Sequence, residues 1–268
     1  MRDVLEHIEA KQADFAKHPF FAELRMDRPL EQIAAFAPRL AFWVMTFQDI
    51  LRLNEQMVQD PALKRIARHH RDEDLGHERW FLEDIAKLTG GPLTISALYG
   101  RASTSTRDAA YQLITEVYRA TDDRLRIVLV LVLESTGHVF FGRTAMLTNA
   151  MVNSPQKLKY FSDFHLHIEQ AHEVFESQME AQLLNIPMPP HVVDEAMALV
   201  DRAYAAFGSM FSGLRDELMQ RRDKTDGPQR SEQPAAALAA AASASTQEAR
   251  REEKASKDEN PWGEAAIL

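Results

Sequence analysis

The pattern with the clearest chemistry lies at positions 161–175, in the stretch FSDFHLHIEQAHEVF. His165, Glu169 and His172 are spaced four and three residues apart, so on a helix they share one side. A metal ion needs donor atoms that converge, and helical bundles supply them by this spacing. Imidazole and carboxylate ligands together suit iron, manganese or zinc. The stretch predicts a metal-ligating helix, with Asp163 as a nearby partner for the second N–H group of an imidazole.

A second stretch, ARHHRDEDLGHERWFLED, repeats this spacing with His70, Asp74 and His77. Glu73 fits the middle place equally well, because it lies three residues after His70 and four before His77. We predict that His70, Glu73 and His77 bind metal, with Asp74 as the alternative to Glu73 and Asp72 as a supporting carboxylate. The charged neighbours leave open a second interpretation, in which this is a solvated helix face with ordinary ion pairs.

The third candidate is Glu134, which follows a wholly apolar run in RIVLVLVLESTGHVFFG. Such surroundings predict a buried carboxylate, which is costly unless it meets a metal, a cation or a proton. We predict that Glu134 binds metal, and pairing with Arg143 is the alternative. His69, His138 and His167 are interpreted as lying outside the ligand set.

Helices must position these residues. The capping residues, prolines and glycines along the sequence predict about seven helices. The predicted helices cover about 4–16, 30–57 with a kink at Pro38, 60–88, two between 107 and 151 with a break near Thr121–Asp122, 154–184, and 191–218. Asp-Pro and Ser-Pro pairs open the helices at 60 and 154. No alternating pattern of useful length indicates a strand, so the sequence predicts an all-α protein.

Composition excludes several classes of function. The chain has 268 residues and is 45% hydrophobic, enough for a sizeable core. It has no cysteine, which excludes a thiolate metal site and a cysteine nucleophile. Its net charge is −9 and its basic residues are scattered among acids, so we expect no nucleic-acid partner. No secretory signal is evident and the longest apolar run, 127–133, is too short to span a bilayer; we expect a cytoplasmic protein without a membrane partner.

The composition changes sharply at Lys224, after which alanine, serine and charged residues dominate. Such a segment cannot bury a core. We predict a metal-binding helical domain over residues 1–223 and a low-complexity, disordered tail over 224–268. The tail end, with Trp262 and Leu268, could instead dock a protein partner, and an inert terminus is the alternative.

With these residues in place, the sequence resembles the heme-oxygenase-like diiron oxidases, also called the iron-containing redox enzyme family, over nearly all of residues 1–223. The resemblance begins at KHPFFAEL and the long helix after it. It continues through His77 as the second-helix histidine, Glu134 as the bridging glutamate, and the run from His165 to His172. It implies a heme-oxygenase-like bundle that holds one or two ferrous ions and uses dioxygen to oxidise a small organic substrate, in natural-product or cofactor synthesis.

One position departs from the family, which usually has glutamate where this chain has His70. Glu73 or Asp74 could replace that carboxylate, or one iron site could be weakened. A non-catalytic metal- or ligand-binding protein, a cofactorless oxidase like the one in pyrroloquinoline quinone synthesis, and an interaction protein that acts through its tail stay open as alternatives, as does a homodimer.

Overall fold

The computed structural model describes residues 1–149, 157–168 and 184–226, and side chains only up to 223 within the last range. The described helices, in chain order, are α1 (Arg2–Phe15), α2 (Pro19–Ala22), α3 (Pro29–Met57), α4 (Pro61–Glu73), α5 (His77–Thr89), α6 (Ile95–Tyr99), α7 (Thr104–Arg119), α8 (Asp123–Asn149), α9 (163–168) and α10 (Pro190–Asp226). A single 3₁₀ turn, Arg101–Ser103, joins α6 to α7. None of these residues forms a strand, which confirms the all-α prediction.

Two long helices form the centre of the bundle. The α3 helix packs against α4, α5, α7 and α8, and α8 also packs against α1. By length and composition α8 is the one helix among the described residues that could cross a membrane. Its apolar residues Val128, Leu129 and Leu133 are buried in the hydrophobic core shared by the helices. The apolar run around Glu134 therefore forms the inside of the bundle.

Aromatic side chains join the N-terminal segment to α10. The Phe211 ring lies 5.1 Å from the Phe15 ring and 5.1 Å from the Phe20 ring, in edge-to-face contacts. His18 accepts a hydrogen bond from the backbone N–H of Phe20 and so begins α2 at Pro19. The stretch KHPFFAEL thus contributes a short helix and a buried aromatic cluster, which hold α10 against the bundle.

The predicted helix at 60–88 is wrong in one respect, because the chain breaks it into α4 and α5. Asp60 caps α4 by accepting hydrogen bonds from the backbone N–H groups of Ala62 and Leu63. The helix then ends at Glu73, and Gly76 has φ +100°, a left-handed conformation that only glycine adopts at little cost. His77 is therefore the first residue of a new helix, and its spacing from His70 is not that of one continuous helix.

The predicted helix at 154–184 is wrong at its start, because residues 157–162 are not helical and α9 begins at 163. Most of the other described boundaries are close to the predicted ones. The break between α7 and α8 falls at 120–122, as predicted, and α3 spans Pro29–Met57 with Pro38 inside it. The last helix, α10, is longer than predicted and continues past the proposed boundary at 223. Contacts divide the chain into Met1–Thr225 and Asp226–Leu268, and nearly all of the second unit lies outside the described residues. The disordered tail stays a prediction.

Candidate metal centre

Three side chains on two helices meet inside the bundle. The His70 Nδ1 atom lies 2.6 Å from Glu134 Oε1, and the His70 Nε2 atom lies 3.4 Å from Asp74 Oδ2. Each residue offers one ligand atom to a group in which all three atoms lie within 4.8 Å of one another. His70 is buried, with 6% of its surface exposed, whereas 32% of the Glu134 side chain is exposed. Glu134 is therefore half-buried and not fully buried as predicted.

Two more histidines adjoin this group: His77 contacts the Oδ1 atom of Asp74, and His165 contacts His77. The Asp74 Oδ1 atom lies 3.3 Å from His77 Nδ1, and His77 Nδ1 lies 3.0 Å from His165 Nε2. Asp74 thus faces His70 with one oxygen and His77 with the other. We call His70, Asp74, His77, Glu134 and His165 the His-Asp cluster.

The junction between α4 and α5 places Asp74 at the centre of the His-Asp cluster. Asp74 directly follows the last residue of α4, and its N–H group still donates to the His70 carbonyl. Its own carbonyl accepts a hydrogen bond of 2.7 Å from Gln48 Nε2 on α3. After the left-handed Gly76 the chain turns into α5, so that the His77 ring returns toward Asp74.

Asp74 is held as a carboxylate. Burial alone would raise the pKa of Asp74, but the hydrogen bond from His77 and the electrostatic attraction of His70, His77 and His165 outweigh burial. The pKa of Asp74 is therefore below its usual value. An ionised, largely buried carboxylate between two imidazoles is a favourable environment for a divalent cation.

His165 is oriented by the backbone that precedes it. Its Nδ1 atom lies 2.9 Å from the Tyr160 carbonyl oxygen, which can only accept a hydrogen bond. The neutral ring therefore carries its proton on Nδ1 and presents the Nε2 lone pair to the cluster. Metal-bound histidines are usually fixed in this way by a carbonyl or a carboxylate.

A buried carboxylate on α5 fixes that backbone. Asp84 is completely buried and accepts hydrogen bonds from the N–H groups of Lys159 (2.9 Å), Tyr160 (2.8 Å) and Phe161 (3.4 Å). Burial raises the pKa of Asp84, and the N–H groups together with Lys87 offset part of that rise. Asp84 thus holds Tyr160, whose carbonyl orients His165.

Aromatic rings surround the two histidines. The Trp80 ring stacks on His77 with centroids 4.6 Å apart and meets His165 edge-on at 5.5 Å. The Phe141 ring lies 4.1 Å from the His165 ring. These contacts fix the orientation of both imidazoles and limit the access of water to them.

A cavity of about 70 Å³ opens beside the cluster. Asp74, His77, Glu134 and His165 line one side of it, and apolar residues of α3, α8 and α10 line the other. A molecule in this cavity would lie directly against the cluster.

The remaining predicted residues lie elsewhere. Glu73 lies outside the metal-sized group of His70, Asp74 and Glu134, as do His77 and His165, but its Oε1 atom is turned to His69 Nε2 at 3.1 Å. Asp72 pairs with Arg71, and the supporting partner of His165 is Tyr160 instead of Asp163.

The other histidines predicted to lie outside the ligand set point away or bond locally. His138 is exposed, and His167 bonds to the carbonyl of Asp163. Glu169 and His172 lie outside the described residues, so their roles stay predictions.

Sequence reasoning missed Asp84 and Tyr160. Asp84 lies seven residues after His77, on the same side of α5 as the buried Phe81 and Ile85. An acid among apolar residues on the buried side of a helix was the available signal. No such signal exists for Tyr160, because only its backbone carbonyl is used.

The cluster offers donor atoms at the spacing that a metal ion requires. Metal–nitrogen and metal–oxygen bonds of about 2.1 Å place neighbouring ligand atoms about 3 Å apart. Most of the cluster's neighbouring donor atoms are 3.0 to 3.4 Å apart. The His70 Nε2 atom is also buried without a hydrogen-bond partner among the described residues. The residues present therefore fit a metal with nitrogen and oxygen ligands.

The comparisons with known proteins establish the fold. No family model and no curated protein matches the chain. Among solved structures, the chain is similar to a domain of unknown function with a heme oxygenase-like fold from Shewanella denitrificans OS217. The two are 17% identical, the match covers 85% of this chain and 94% of that chain, and the TM-score is 0.59. The chain therefore has a heme oxygenase-like fold, as the sequence predicted.

Proposed function

We propose that the protein is a non-heme iron oxidase or oxygenase that activates dioxygen and oxidises a small organic substrate. The observation that carries the proposal is the position of Asp74, whose two carboxylate oxygens face two different histidines. A carboxylate in this position can serve two neighbouring metal positions at once, and two such positions are what a diiron centre needs.

A first metal position would draw on Asp74 and on His77 and His165, whose Nδ1 and Nε2 atoms lie 3.0 Å apart. Two histidines and one carboxylate with open positions are typical of ferrous oxygenases. A second metal position would draw on His70 Nε2 and the other oxygen of Asp74, while Glu134, the predicted third ligand, contacts the Nδ1 atom of the same ring. Glu169 and His172 remain predicted ligands from the sequence, whereas Glu73 pairs with His69. Iron held in this way supplies the electrons that reduce dioxygen.

The chain's own residues perform the supporting roles. Tyr160 keeps the proton of His165 on Nδ1, so that the Nε2 atom stays available as a ligand. Trp80 and Phe141 pack on the two imidazoles and exclude water from that side. The cavity of about 70 Å³ holds the co-substrate or part of the substrate against the cluster.

The test compares two neighbouring carboxylates after anaerobic loading with ferrous iron. We expect Asp74→Asn to lose about tenfold or more in iron affinity, since the loss of even a supporting group costs that much. Glu73→Gln is the matched control, because Glu73 is adjacent in the chain but pairs with His69. Equal affinity in the two variants would remove Asp74 from the site.

Dioxygen consumption by the iron-loaded protein then tests the activity. Consumption that depends on iron supports an oxidase. Iron binding without consumption would identify a non-catalytic metal-binding protein. Consumption by the metal-free protein would favour a cofactorless oxidase.

A further inference from the structure

The cavity beside the His-Asp cluster has two chemically different sides. One side holds the cluster itself. The other consists of apolar side chains from three helices, among them Leu40 and Val44 on α3, Leu133 and Phe140 on α8, and Phe207 and Met210 on α10. A substrate that reacts at the cluster must place the rest of its body against this apolar wall.

The wall supplies no positive charge. Among the described lining residues, the ionisable side chains at the cavity are carboxylic acids, histidines and one tyrosine, with no lysine or arginine. The internal segments outside the described residues, 150–156 and 169–183, contain no lysine or arginine in their sequences either. An anionic group buried at the apolar end would therefore be unpaired, and an unpaired buried charge is strongly unfavourable.

Two polar side chains at the cavity donate hydrogen bonds to backbone carbonyls. Gln48 Nε2 donates to the carbonyl of Asp74. The Thr136 hydroxyl lies 3.0 Å from the Val132 carbonyl and 2.9 Å from the Leu133 carbonyl, both within its own helix. The Thr136 hydrogen atom is thus used within its own helix, and one Gln48 donor is used on the backbone of the α4–α5 junction.

The size of the cavity selects among apolar molecules. Its volume is about 70 Å³, whereas an apolar cavity that holds benzene measures about 150 Å³. A short aliphatic chain suits a cavity of this volume. We infer that the substrate binds through a short aliphatic chain that carries no negatively charged group beyond the end that meets the cluster. The inference rests on the proposed function, because it takes the cluster as the reacting end.

The test uses carboxylates of increasing length as probes. Protein loaded with Co²⁺ is titrated with acetate, propanoate and butanoate, and binding is measured from the visible absorption of the cobalt ion. We expect the affinity to rise about fourfold per methylene group, the value for full burial of a CH₂ group. Succinate, which adds a second carboxylate at the far end, should bind at least about tenfold more weakly than butanoate. A flat series, or succinate binding as well as butanoate, would overturn the inference.

A pair of glycines on α8 supplies the matched variants. Gly137 lines the cavity, and a Cβ atom there would meet the Phe141 ring at 3.7 Å, an ordinary contact. Gly142 does not line the cavity, and its added Cβ would meet nothing within 4 Å. Gly137→Ala should reduce the increase in affinity from acetate to butanoate about fourfold, since the added methyl group fills the space of one methyl group of the probe. Gly142→Ala should leave that increase unchanged, and an identical response of the two variants would contradict the inference.

A second titration separates this inference from the proposed function. If Co²⁺ does not bind, the proposed function fails. The metal-free protein is then titrated with ethanol, 1-propanol and 1-butanol by ligand-observed NMR. An affinity that rises with chain length, and is reduced by Gly137→Ala, supports the apolar cavity without any metal. Equal binding of the three alcohols overturns it.

Discussion

Two regions bring histidines to the same cluster by different physical means. The α4–α5 junction, residues 74–76, places Asp74 and His77 through the conformation of its own backbone, with Gly76 at φ +100°. The anchor segment, residues 157–161, is placed by Asp84, which belongs to a different helix and lies more than seventy positions earlier in the chain. The first arrangement is local in sequence and the second is long-range.

The difference separates two ways in which the site can fail. A change in the junction alters a short turn and leaves the bundle packed around it. A change at Asp84 leaves several buried N–H groups without acceptors, which costs stability as well as geometry. We therefore expect stability and metal binding to fall together in the anchor segment, and metal binding to fall more selectively at the junction.

The largest effect is expected from Asp84→Ala. This variant removes the acceptor of the N–H groups of Lys159, Tyr160 and Phe161, and the free energy of unfolding should fall by about 3 kcal/mol or more. Iron affinity should fall as well, because the Tyr160 carbonyl orients His165. Urea unfolding and iron titration measure the two effects.

Glu83→Ala is the control for this variant. Glu83 lies next to Asp84 and pairs with the Lys159 side chain at 2.8 Å, but both side chains are about half exposed. A surface ion pair of this kind contributes about 0 to 1 kcal/mol. If Glu83→Ala were as destabilising as Asp84→Ala, the hydrogen bonds to the backbone would not be what holds the anchor segment.

A smaller loss of stability is expected from Gly76→Ala in the junction. An alanine at a left-handed position costs about 1 to 2 kcal/mol, and no neighbouring atom lies within 4 Å of the added Cβ. The strained residue lies between Asp74 and His77, so iron affinity should decrease together with stability. Gly90→Ala is the matched variant, since Gly90 is also left-handed (φ +75°) and its Cβ also meets nothing.

Gly90 ends α5 at the opposite end from the cluster. Its replacement should therefore cost similar stability and leave iron binding unchanged. If both variants bind iron equally well, the junction is not what positions Asp74 and His77.

The sequence predicted the helical fold well, because apolar periodicity and the prolines and glycines that mark helix ends are local signals. It also indicated His70, His77, Glu134 and His165, which the structure brings close together. The choice between Glu73 and Asp74 could not be made, since both fit the spacing on a continuous helix. The chain breaks at Gly76, and as a result Asp74 is the carboxylate next to both His70 and His77. A glycine inside a helical pattern was the signal for this break.

The role of Asp84 lay beyond the sequence for a different reason. Its partners are backbone N–H groups of a segment more than seventy residues away, and a backbone donor has no side-chain signature. Tyr160 is hidden in the same way, because the group that touches His165 is a carbonyl. Long-range contacts to the backbone depend on how the helices pack, which periodicity does not reveal.

The smallest effect concerns the pH dependence of the anchor segment. Burial raises the pKa of Asp84 above 3.8, in spite of its hydrogen bonds. A proton therefore binds the folded state more tightly than the unfolded state, so the contribution of Asp84 to stability is greatest below pH 3.8. That contribution declines as the pH rises from 3.8 toward the raised pKa of the folded state.

Asp84→Asn removes this titration and keeps an oxygen that can accept the N–H group of Tyr160. The free energy of unfolding of the native chain should therefore decrease relative to that of Asp84→Asn as the pH rises through that window. Urea unfolding of both proteins at several pH values from 4 to 7 measures the shift. If the native chain instead gained stability relative to Asp84→Asn as the pH rises, the N–H groups of the anchor segment would lower the pKa of Asp84 by more than burial raises it. The anchor segment would then be held by an ionised carboxylate whose hydrogen bonds outweigh its desolvation, and the contrast with the strain-based α4–α5 junction would be greater still.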